Sequence, residues 1–184
     1  MNKAQYLIVH HTGGTDADPL ADTSHHTFEM VNEHHKKLWN FKSSLGYYIG
    51  YHYFIDKVGK VKQGRAHTDD GAHTIGKNQS SIGVCLAGNF DATLPTKEQS
   101  DALGRLLTRL MGELSIPASK IVPHRTFAKK TCYGKRLGDD WARSLTDVTS
   151  EKPEMSIEDM EKLIIALTAQ INAIKKQLAL KKGG

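Results

Sequence analysis

The chain has 184 residues, 39% of them hydrophobic and 24% charged, with ten histidines and a formal net charge of +5. That length suits one domain with a full core and a short appendage, not two full domains. The composition excludes a collagen-like fibre, a wholly disordered chain and an integral membrane protein. The longest apolar runs, YLIV at 6–9 and LIIAL at 163–167, fall far short of the roughly 18 residues that span a bilayer. The opening MNKAQYLIVHHT lacks the apolar core and small-residue cleavage site of a secretory leader, which predicts synthesis in the cytoplasm without a signal peptide. A mildly basic balance suits anionic partners of any kind and selects none. Neither nucleic acid binding nor stable membrane insertion is expected. Two cysteines, Cys85 and Cys132, do not make a disulfide framework.

In chain order, Tyr6 to His10 is a short apolar strand that runs into His-His-Thr-Gly-Gly. After a loop rich in Asp, Pro and Thr, residues 24–39 read as a polar helix with the His25-His26 and His34-His35 pairs on its solvated surface. Aromatic and β-branched residues over 47–64, with a turn at Val58-Gly59, predict a hairpin. Residues 80–87 form a further strand with Ile82, Val84 and Leu86 on one face. Thr96 and Gln99 make a capping box, and Leu103, Leu106, Leu107, Leu110, Met111 and Leu114 behind it follow a helical period. A short strand at 120–122 and a weak helix near 139–144 complete the pattern. Alternating strands and helices predict an α/β fold, a central mixed β-sheet flanked by helices, over residues 1–148.

A polar linker over 149–155 leads to a C-terminal amphipathic helix at 156–182. Ile157, Met160, Ile164, Leu167, Ile171, Ile174 and Leu178 alternate spacings of three and four, the seam of a coiled coil. Three readings stay open: self-association into a homo-oligomer, docking of the helix on its own domain, and contact of its basic end with anionic lipid.

The segment that carries chemistry is HRTFAKKTC, from His124 to Cys132. A His and a Cys in a Lys-rich loop can share a zinc ion, which accepts imidazole and thiolate together and takes three protein ligands in a catalytic site. His10 or His11, at the end of the first strand, is the natural third donor. Strand alternation sends the two to opposite faces, and periodicity does not choose between them. Cys85, within an apolar strand, reads as a core residue.

Four motifs occur in order: VHHT at 9–12, GYHYFIDKVGKV at 50–61, GAHTIGKNQSSIGVCLAGN at 71–89 and HRTFAKKTC at 124–132. Together they resemble the zinc-dependent N-acetylmuramoyl-L-alanine amidases of type 2, the family of phage lysozyme-amidases and peptidoglycan recognition proteins. The resemblance spans roughly 5–145. It implies His10, His124 and Cys132 as zinc ligands, Tyr51 and Lys130 as catalytic residues, and His73 and Asn78 beside the substrate groove. A lysine at 130 is the choice of the phage branch. Two positions depart from the family's habit: Cys132 is followed by Tyr133 rather than proline, and His124-Arg125 by Thr126 rather than aspartate. Neither removes a ligand.

The implied reaction is hydrolysis of the amide between the lactyl group of N-acetylmuramic acid and L-alanine in peptidoglycan, as in a phage endolysin. Zinc acidifies water to a pKa of about 7. Lys130 is placed to stabilise the oxyanion, Tyr51 to hydrogen-bond the water or the intermediate, and the only acid between 46 and 64 is Asp56. Six basic residues and no acid lie within 115–138, a rim suited to the anionic bacterial cell wall. The rival expectations are a non-catalytic peptidoglycan receptor and a stem-peptide endopeptidase of the same fold.

Overall fold

The computed structural model describes residues 4–148 together with 164, 165, 168–172 and 175. The chain divides into two compact units, Met1–Ser150 and Glu151–Gly184. In the first, five strands form one sheet: β1 (Tyr6–His11), β2 (Tyr53–Ile55), β3 (Val61–Gln63), β4 (Ser81–Leu86) and β5 (Ile121–Pro123), in the order β3-β2-β4-β1-β5. β2, β4, β1 and β5 run parallel, and β3 pairs antiparallel with β2 at the edge. The sheet is therefore mixed. The hairpin is shorter than the sequence pattern suggests, and Tyr51 lies ahead of its first strand.

Helices α1 (Phe28–Trp39), α2 (Lys97–Leu114) and α3 (Trp141–Val148) flank the sheet. α2 starts on the capping box of Thr96 and Gln99, with both reciprocal bonds formed, and Gln99 also donates to the Ala87 carbonyl. Its Leu103, Leu107 and Leu110 are fully buried. They pack with Leu7, Val9, Ile82, Val84 and Leu86 in the larger core, each contributing about 1.5–3 kcal/mol of burial.

The opposite face carries a smaller core of Phe28, Val31, Ile49, Phe54, Cys85 and Ala87 under α1. α1 begins at Phe28, not at residue 24. The Ser24 amide turns onto the Asp22 carboxylate, and the Thr27 hydroxyl accepts the Met30 amide as N-cap. His25 and His26 thus precede the helix. His35 is not on the surface as the sequence suggests. It is 7% exposed, and its Nδ1 accepts the Gly50 amide at 2.8 Å. The helix turns one imidazole inward to satisfy a buried backbone donor.

In the second unit the described residues are helical, with Ile164, Ile165 and Ile171 exposed. The rest of the heptad seam lies outside the described residues. Among the described residues no helix is long and apolar enough to cross a membrane.

Candidate metal centre and groove

Parallel strands gather their carboxyl ends at one edge of the sheet, the usual place for a ligand in an open α/β fold. β1 ends there with His10 and His11. β5 ends there with Pro123, and the chain turns at once into a single 3-10 turn, His124–Thr126. His10 and His11 diverge as alternation requires. The His11 ring turns toward Phe90, whose amide it accepts at 2.9 Å, and burial pulls its pKa down to about 4. His10 turns the other way, 1% exposed, with its ring centroid 4.6 Å from that of His124.

Cys132 completes the group. Its Sγ stands 3.7 Å from His10 Nδ1, and ligand atoms of His10, His124 and Cys132 all lie within 4.8 Å of one another. Each group disfavours its charged form. Burial and then the neighbouring His73 and His124 hold the His10 pKa well below the usual range. Burial lowers His124, with Lys130 adding to it. Burial pushes the Cys132 thiol up to about 12, against the pull of the His11 backbone and Lys130. Two neutral imidazoles and a thiol in one partly buried cluster, without a carboxylate among them, are a donor set that suits zinc.

The loop that carries Cys132 is tied by Arg125. Its Nε donates to Asp139 at 2.6 Å, Nη1 to the Thr131 and Gly134 carbonyls, and Nη2 to the Leu137 carbonyl. The Arg125 amide donates to the Cys132 carbonyl at 2.8 Å. Asp91 braces the other side, accepting the Thr131 hydroxyl and the Lys135 amide. Tyr133, the departure from proline, is fully buried, packs edge-on to Trp141, and donates to the carbonyls of Gly138 and Asp139.

The cluster lies in a cavity of about 1030 Å³, whose lining includes Tyr51, His73, Asn78, Trp39, Ile75 and Lys130. The Tyr51 ring is 5.0 Å from His10. Burial raises its hydroxyl pKa well above the ordinary value, with the neighbouring Cys85 and Cys132 adding to the shift. Lys130 is exposed at the cavity wall. Asn78 Oδ1 accepts the His73 and Thr74 amides, fixing the turn that presents His73. The His73 Nδ1 is 3.1 Å from His10 Nε2.

All seven residues singled out in the sequence therefore line one cavity. Sequence reasoning missed Arg125 and Asp91 as braces, His35 as the holder of Gly50, and Cys85 as a neighbour of Tyr51. Only the burial of a cysteine within an apolar strand was legible beforehand.

The fold and the donor set define an α/β protein with three convergent side chains able to ligate a metal, lining an open groove. The family model for N-acetylmuramoyl-L-alanine amidase matches residues 1–135, and the chain belongs to that family. It is 31% identical over 134 residues to peptidoglycan-recognition protein SD of Drosophila simulans, covering 71% of this chain and 67% of that protein. The endolysin of Enterobacteria phage K11 is 35% identical over 109 residues, covering 56% of this chain and 70% of the endolysin. Among solved structures, N-acetylmuramoyl-L-alanine amidase LysC from Clostridium intestinale shares the fold. Its TM-score is 0.64 at 23% identity, over 79% of this chain and 86% of that one.

Proposed function

We propose that the chain is a zinc-dependent peptidoglycan amidase of the endolysin kind, cutting the bond between the lactyl group of N-acetylmuramic acid and L-alanine in the bacterial cell wall. The observation that carries this reading is the convergence of His10, His124 and Cys132 ligand atoms within 4.8 Å of one another at the floor of the groove. His10, His124 and Cys132 would hold the ion. When bound, zinc supplies a Lewis acid and brings water to a pKa of about 7. Tyr51 keeps its proton at neutral pH, because burial raises its pKa, and so serves as a hydrogen-bond donor. Lys130, a cation at the cavity wall, faces the negative charge that develops on the carbonyl oxygen. Asn78 holds the turn bordering the groove, and the basic loop around Cys132 draws the anionic wall toward it.

Residues 1–148 then form the catalytic domain, 149–155 the linker, and 156–182 a helix that joins copies of the chain. Ile164 and Ile171, each exposed and helical and seven residues apart in the sequence, support that last assignment, since one heptad separates like positions of a seam. Light scattering of the full chain against a 1–150 truncation tests it: the full chain is expected to form a multimer and the truncation a monomer, and a full chain that runs at the mass of a single protomer would refute it.

The deciding experiment for the reaction is metal content together with product analysis on purified peptidoglycan. Stoichiometric zinc and new L-alanine amino termini without reducing sugar are expected. Other new amino termini would mean a stem-peptide endopeptidase. Retained binding without any product would mean a receptor, a reading that the relation to a recognition protein keeps in play and the presence of Cys132 opposes.

A further inference from the structure

A metal-ligating imidazole usually donates its second N–H to a carboxylate, a backbone carbonyl or water, which fixes its tautomer and its angle. His10 departs from this. Its Nδ1 faces the Cys132 sulfur, and its Nε2 faces another imidazole, the Nδ1 of His73, at 3.1 Å. Thr74 Oγ1 stands beside both, 3.0 Å from His73 Nδ1 and 3.5 Å from His10 Nε2. For His10 to offer its Nδ1 lone pair to a metal, its proton must sit on Nε2. His73 Nδ1 must then be the acceptor, which leaves the His73 proton on its own Nε2.

The His73 Nε2 is buried and makes no well-formed hydrogen bond, the Ser81 backbone beside the ring being its one weak polar contact. A buried N–H so poorly paired is costly, so the ring is not placed there for its own hydrogen bonding. Its ring nitrogens do not serve the groove either: one is engaged with His10 and Thr74, and the other is shut away from solvent.

The backbone is shaped around this ring. A Cβ built on Gly83 would come within 2.6 Å of His73 Cδ2 and 2.7 Å of its Cγ, and one on Gly71 would meet the same ring. Neither glycine has the left-handed backbone that would itself call for glycine. Gly83 sits inside β4, where a glycine weakens the strand unless something must approach closely. What approaches is His73. The Asn78 carboxamide, accepting the amides of His73 and Thr74 at 2.9 and 2.8 Å, fixes the turn from which the ring projects.

We propose that His73 is a positioning residue for the metal centre. It accepts the Nε2 proton of His10, selects the tautomer in which His10 Nδ1 ligates, and is held flat against Gly71 and Gly83 for that purpose. The proposal rests on the zinc-site reading above. It assigns His73 to the metal ligand rather than to substrate.

The test compares His73→Asn, His73→Gln and His73→Ala with the native chain. Asparagine can put its oxygen where Nδ1 stands, glutamine puts its oxygen nearer the Nε2 position, and alanine supplies no acceptor. Zinc affinity is read by competition with a chromogenic chelator. The visible absorption of the Co2+-substituted proteins is recorded alongside, and melting of the metal-free proteins checks folding. His73→Ala and His73→Gln are expected to bind zinc about 10–100-fold more weakly with altered cobalt bands, while His73→Asn stays within about threefold of the native protein. Zinc affinity and cobalt bands unchanged in His73→Ala would overturn the proposal, as would an Asn variant as weak as the Gln variant. If the Ala variant does not fold, the contrast between Asn and Gln decides. A native chain that takes up no zinc would sink the metal-site reading and this proposal with it. A native chain that binds zinc and a His73→Ala variant that binds it equally well would sink only the latter.

Discussion

The Cys132 sulfur and the His10 Nδ1 stand 3.7 Å apart although 122 residues separate them in the chain. Only the completed sheet, with β1 beside β5, brings them together, so the site exists in the folded state alone. Removing any one of His10, His124 or Cys132 by His10→Ala, His124→Ala or Cys132→Ser should weaken zinc binding by more than the roughly 10–100-fold that outer-shell changes cost. Hydrolysis should be lost with it. Because burial holds the metal-free thiol near a pKa of about 12, uptake of zinc at neutral pH must expel its proton. Affinity should then climb about tenfold per pH unit around neutrality. Chelator competition at several pH values measures this, and a flat profile would mean that Cys132 does not ligate as a thiolate.

Tyr51 and Lys130 should behave differently from the ligands. Neither belongs to the triad, so Tyr51→Phe and Lys130→Ala are expected to retain stoichiometric zinc. Each should lose about 10²–10³-fold in kcat, the scale of a deleted oxyanion donor. Zinc content and turnover on purified peptidoglycan, measured on the same preparations, separate the two effects. Near-native turnover in both variants would remove these residues from the chemistry.

The parts of this protein that follow a short period were legible in its sequence. α2 was readable to its capping box, because Thr96, Gln99 and the leucines behind them express one local rule. β4 was readable because Ile82, Val84 and Leu86 alternate. The triad could be narrowed to His10 or His11 with His124 and Cys132 by residue type, and the choice of His10 came from the family resemblance. What escaped notice acts across the chain. His35 looked like half of a solvated pair, yet α1 turns it toward Gly50, 15 residues away. Arg125 looked like one charge in a basic run, yet three backbone carbonyls converge on its side chain. Such roles depend on which loop ends meet, and no local pattern records that.

Arg125 is the next residue to test. The side chain makes most of its bonds to main-chain carbonyls of the Cys132 loop, and a hydrogen bond to a charged group contributes about 1.5–3 kcal/mol. Its partner Asp139 has a side chain 77% exposed, so the ion pair itself should contribute about 1 kcal/mol or less. Arg125→Ala should therefore cost about 3 kcal/mol or more of stability and weaken zinc binding, while Asp139→Asn should cost little. Urea unfolding with and without zinc distinguishes the two. Equal losses would place the effect in the ion pair rather than in the loop.

The buried histidines set a pH limit on stability. His35 and His52 both have pKa values pulled down to about 4, chiefly by burial. Both use a deprotonated Nδ1 to accept a backbone amide, from Gly50 and Gly83 respectively. In the unfolded chain each would titrate near 6.5. Between pH 6.5 and about 4 the unfolded state thus binds more protons, and stability should fall with pH. The slope is about 1.4 kcal/mol per pH unit for each group once pH is well inside that window. Above the window these two groups contribute a constant amount. His35→Gln removes one titrating group, so its urea midpoint, followed from pH 7 to 5, should fall less steeply than the native protein's. An unchanged slope would show that His35 titrates alike in the folded and unfolded chain, and so does not hold the Gly50 amide through a deprotonated Nδ1.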